Sequence, residues 1–111
     1  MKPSGGEQKE IWIGMVQVVP SLDARVISDA SGAFVDVLTW AADLAEYRAK
    51  VTELMDDLRL NIMEIEKAEP LANRGSLEEL AEEIALIARE VRYNPNAIMY
   101  STFFTWGHPI Q

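Results

Sequence analysis

The sequence holds no cysteine. Disulfides, thiol catalysis and cysteine-ligated zinc are excluded, and the chain suits a reducing compartment. Histidine is nearly missing as well, since His108 is the only one. A single imidazole cannot build a multi-histidine metal site. Basic residues are outnumbered, 10 against 18 acidic, which leaves a net charge of −8. Nucleic-acid binding rests on neutralising phosphates with lysine and arginine, so nucleic acid is not an expected partner. The same charge repels an anionic membrane surface.

Long apolar runs are missing too. IWIGMVQVV, residues 11–19, is about half the length of a membrane-spanning helix. The mixed-charge start MKPSGGEQKE precedes no stretch of signal-peptide type. No membrane association is expected, and a cytoplasmic location is the default. The phosphate-cradling patterns GxGxxG and GxxxxGK[ST] are absent, as are an EF-hand loop and a G-x-S-x-G elbow. No cofactor and no bound metal are expected. The chain shows no internal repeat and no low-complexity segment.

What is present describes a folded domain. Hydrophobic residues make up 49% and charged residues 25%, close to globular averages. A length of 111 residues suits one domain and not two. Residues 1–9 read as a flexible arm, 10–106 as the domain and 107–111 as a tail.

Residues 11–19 are β-branched and aromatic-rich and read as a strand buried on both faces. ARVIS, residues 24–28, reads as a short strand before a DASG turn. AFVDVLTW, residues 33–40, is a second firm strand. The first helix opens at Asp43, with Glu46 at capping-box spacing. Leu44, Tyr47, Val51, Leu54, Met55 and Leu58 make its apolar stripe, and Leu54 lies mid-stripe. LNIMEIEKAE, residues 60–69, alternates as a half-exposed strand that Pro70 stops. Ser76 and Glu79 give a second capping-box spacing and predict a helix from there to Pro95. Leu77, Leu80, Ile84, Ile87 and Val91 line its inner face. AIMYSTFFTW, residues 97–106, is the last strand.

The order is β-(β)-β-α-β-α-β. It predicts an α+β two-layer sandwich, a mixed sheet with two helices on one face. This is near a ferredoxin-like arrangement but outside its β-α-β-β-α-β order.

The candidates for chemistry are few. Asp36 interrupts an apolar strand, so a covered face would demand a partner or raise its pKa. Glu64 and Glu66 share a strand face, where paired carboxylates can divide acid and base roles. His108 offers an imidazole of near-neutral pKa between Gly107 and Pro109. In a continuous last strand, Tyr100, Thr102, Phe104 and Trp106 share one face. These aromatics either fill the core or form a patch on an uncovered sheet face, which would be an interaction surface. Tyr100, Phe104, Trp106 and His108 are its expected members.

The reading that follows is a small acidic non-enzymatic protein-interaction module. An immunity or inhibitor-like protein that blocks a basic partner is one concrete form. The partner is a protein or a second copy of the chain, and a homodimer is expected. The alternative is a small-ligand binder or enzyme using Asp36, Glu64 or His108 in an aromatic-lined cleft.

Overall fold

The two apolar segments read as firm strands pair directly with each other. β1 (Glu10–Pro20) and β2 (Gly32–Ala41) run antiparallel, with Ile13 opposite Leu38 and Val16 opposite Val35. The computed structural model describes residues 8–107. After β2 come α1 (Leu44–Asp57), β3 (Leu60–Pro70), two 3-10 turns, α2 (Glu82–Arg92), β4 (Ile98–Tyr100) and β5 (Phe104–Trp106). The strand order is β3-β1-β2-β4, and β5 also pairs with β2.

Every pairing is antiparallel, where a mixed sheet was expected. The reason lies in β1. The α1 crossover carries the chain from β2 to β3 past β1, so β2 and β3, which run parallel, are not neighbours. The α+β class stands, and α1 on the sheet forms the expected sandwich.

The helices do not share a face. Val16, Val18, Val35 and Val37 form one core with Tyr47, Val51 and Met55 of α1. Ile13 and Leu38 form another with Ile84, Ile87, Ala88 and Val91 of α2. Side chains alternate along a strand, so these two sets point to opposite sides of β1 and β2. Strands that are apolar on both sides need cover on both.

Helix α1 begins as expected. The Asp43 carboxylate accepts from Glu46 N at 2.8 Å, and Glu46 Oε1 accepts from Ala42 N at 2.7 Å. Lys9, at the described end of the arm, donates to Glu46 Oε2 at 2.7 Å. The stripe buries Tyr47, Val51 and Met55 fully, while Leu54 is half-buried and Leu44 is exposed. Helix α2 starts later than its sequence signal. Glu79 does reach back to Ser76 N at 2.8 Å, but the turn it closes is a 3-10 turn, Leu77–Glu79. The α-helix then opens at Glu82. ARVIS is not a strand: the segment is irregular, Ile27 has φ +46°, and Ala24, Val26 and Ile27 pack on the α1-side core.

β3 keeps its apolar side through two bulges. From Ile13 to Met15 its partner moves from Glu69 to Glu66, and from Gln17 to Val18 it moves from Glu64 to Ile62. Each step inserts one extra residue into β3. Lys67, φ +54°, sits in the first, and exposed Met63 in the second. Ile62, Ile65 and Ala68 thereby all pack toward α1, although a spacing of three would alternate in a regular strand.

Candidate functional site

The last strand is broken, and the break shapes the candidate site. Ser101 stays in register with Asp36: its N donates to Asp36 O at 2.9 Å, and Asp36 N donates to its hydroxyl at 3.0 Å. Three residues later Phe104 faces Phe34, so β2 has advanced by only two. At the extra residue, Thr102 leaves the ladder. Its N and hydroxyl donate to Glu83 Oε2 of α2 at 2.7 and 2.8 Å.

This bulge reverses the faces of the aromatic residues. Tyr100 lies opposite Val37 and packs on the α1 side with Phe103, their ring centroids 5.4 Å apart. Phe104 and Trp106 lie opposite Phe34 and Gly32 on the other side. The expectation that Tyr100 shares a face with Phe104 and Trp106 is therefore corrected. Trp106 rests its ring on Gly32, where a Cβ would have no room. Trp12 stacks on Tyr47 in the α1 layer, centroids 6.1 Å apart. His108 lies outside the described residues.

Helix α2 covers only one end of its face. Beyond Ile13 and Leu38 that face continues with Met15 and Gln17 of β1, Phe34 and Asp36 of β2, and Glu64 and Glu66 of β3. These residues are half-buried or exposed, whereas Val16, Val35 and Val37 on the opposite side are at most 1% exposed. Phe104 is 67% exposed at the margin. The result is an open sheet surface with an apolar strip, Met15, Phe34 and Phe104, flanked by carboxylates.

Asp36 and Glu66 both lie opposite Met15, on its two sides. Two strand spacings, about 10 Å, separate their backbones. Glu64 lies one pair further along, opposite Gln17. Neither glutamate is close enough to share a proton with Asp36, so the arrangement is not an acid–base dyad. Among the described residues, no group of three potential ligands is placed to hold a metal ion. The Asp36 carboxyl is held above its ordinary value by burial; Arg74 opposes this and Glu83 reinforces it. Arg74 is drawn away to Glu69 and to Lys67 O, the latter at 2.8 Å.

Of the residues on this face, sequence reasoning singled out Asp36, Glu64, Glu66 and Phe104 but not Met15 and Phe34. No protein-family model matches this chain, and no curated protein or solved structure is significantly similar to it. No helix among the described residues is long and apolar enough to cross a membrane.

Proposed function

We propose that the chain is a non-enzymatic protein-interaction module that docks a basic protein on the open half of its sheet. One observation carries this reading. Helix α2 stops short, and the apolar strip Met15, Phe34 and Phe104 is left beside Asp36, Glu64 and Glu66. Apolar surface flanked by carboxylates favours a partner of the opposite sign. The net charge of −8 extends the same field over the molecule and speeds the encounter. An inhibitor or immunity-like role, in which an acidic domain blocks a basic protein, is the form that fits this chemistry.

A second copy of the chain is the competing occupant. It would lay the carboxylates of two open faces against each other, although salt screens exposed charges beyond about 8 Å. Two measurements separate the readings. Light scattering over a range of concentrations reads self-association. Co-purification from native lysate, eluted with rising salt, reads a basic partner. The proposal expects a monomer alone and a basic protein released by salt, with binding lost in a variant carrying Asp36→Asn, Glu64→Gln and Glu66→Gln. A concentration-dependent dimer that Phe104→Ser dissociates would assign the face to a homodimer instead. A monomer that captures nothing would overturn both.

A further inference from the structure

A second recess lies at the other end of the sheet, away from the open face. It is a cleft of about 310 Å³ between the start of β1, the end of β2, the two 3-10 turns and the end of α2. Its apolar wall comes from Ile11, Trp40, Leu71, Leu77 and Leu80. Leu71 is buried, and the other four are only half-buried although they pack against the α2-side core. Trp40 is held in place, because its Nε1 donates to Val91 O at 2.7 Å. The wall is therefore built in advance of any ligand.

Two charged residues of opposite sign also line the cleft, Glu10 from β1 and Arg92 from the last turn of α2. Neither forms an ion pair among the described residues, where the pairs are Lys9–Glu46, Lys50–Glu46, Arg59–Asp23 and Arg74–Glu69. We propose that this cleft binds a free α-amino acid with a large apolar side chain. Charge decides the class. An anion would meet Glu10 and a chain of net charge −8, and a cation would meet Arg92. A zwitterion carries a carboxylate suited to the guanidinium and an ammonium suited to the glutamate. Size narrows it further. The volume is near the lower limit of ligand pockets, which suits one residue and not a nucleotide or a longer peptide. The apolar wall selects a leucine- or phenylalanine-like side chain over a small or polar one.

The test is titration with defined probes, followed by calorimetry and by the Trp40 indole N–H resonance. L-phenylalanine and L-leucine are expected to bind saturably and shift that resonance. Glycine lacks the apolar group, 3-phenylpropionate lacks the ammonium and phenethylamine lacks the carboxylate; all three are expected to bind about tenfold weaker or worse. Arg92→Gln and Glu10→Gln each weaken phenylalanine by about the same factor. Both side chains are exposed, so the variants are expected to fold, and unchanged melting checks this. Glu10→Gln also narrows the gap between phenylalanine and 3-phenylpropionate, an effect that mere loss of structure does not produce. Absence of saturable binding at millimolar amino acid overturns the proposal. So does equal binding of 3-phenylpropionate to the unaltered chain, or phenylalanine binding that neither variant weakens. None of these results bears on the open sheet face, which shares no residue with the cleft.

Discussion

The Tyr47 hydroxyl lies against Gly14. A methyl group on Gly14 would stand 2.7 Å from Tyr47 Oη, and that hydroxyl donates to Val37 O at 2.8 Å. Val37 is the ladder partner of Gly14, so one helix side chain spans a strand pair at its thinnest point. Gly14→Ala is expected to cost about 1–3 kcal/mol through overpacking. Tyr47→Phe is expected to cost about 1 kcal/mol for the lost hydrogen bond. The double variant costs less than the sum, because removing the hydroxyl frees space for the methyl. Urea denaturation of the four proteins checks the cycle.

Tyr47 also sets an alkaline limit. Burial pushes its phenol well above the ordinary value of 10.0. The folded state holds this proton more tightly than the unfolded chain does. The contribution is therefore complete below pH 10.0 and is lost as pH rises toward the folded value. Stability measured through the alkaline range should fall more steeply for the unaltered chain than for Tyr47→Phe.

Each side of the sheet has its own core, and truncation should be felt in both. Met55 is fully buried under α1 and Ile84 is buried under α2. Met55→Ala and Ile84→Ala are each expected to cost about 2–5 kcal/mol, and to add, because the sheet separates them. Leu54→Ala, at a half-buried position, should cost less than either. Equilibrium denaturation of the three single variants and the Met55–Ile84 double variant tests the ranking.

Asp36 contributes a pH dependence of the same sign as Tyr47 in a lower window. Its carboxyl is raised from 3.8, first by burial, with Arg74 opposing and Glu83 adding. Stability is fully present below that unfolded value and is partly lost as pH rises through the folded one. Asp36→Asn should therefore stabilise the chain at neutral pH and remove this slope. Thermal unfolding of both proteins from pH 3 to 7 reads the difference, and a neutral variant less stable than the parent would contradict it.

The cap of α1 gives a fifth measurement. Asp43 accepts from Glu46 N at 2.8 Å. Asp43→Ala should cost about 1 kcal/mol, and Asp43→Ser should restore most of it. A loss that serine does not rescue would mean that charge, and not capping, holds the helix start.

The α+β class, the strand positions of β1, β2 and β3 and the start of α1 were legible in the residue order, because each depends on near neighbours. A β-branched run, an Asp43–Glu46 spacing and a stripe through Tyr47, Val51 and Met55 act within a few turns of chain. Asp36 could be singled out for the same reason, as a carboxylate inside an apolar strand. The open face that surrounds it could not be read. Met15 read as part of a strand buried on both faces, and nothing local says that α2 ends its cover at Ile13 and Leu38.

What only the tertiary structure decided concerns count and side. A bulge adds one residue, and one residue exchanges the faces of everything after it. Two bulges in β3 turned Ile62, Ile65 and Ala68 to one side, and the extra residue after Ser101 sent Phe104 away from Tyr100. Those insertions are set by distant partners, among them Glu83, which takes the Thr102 amide out of the ladder. The composition by itself determined an acidic chain without thiol chemistry. Which carboxylates and aromatics share a surface was settled by hydrogen bonds between segments far apart in the chain, whose pairing has no local signal.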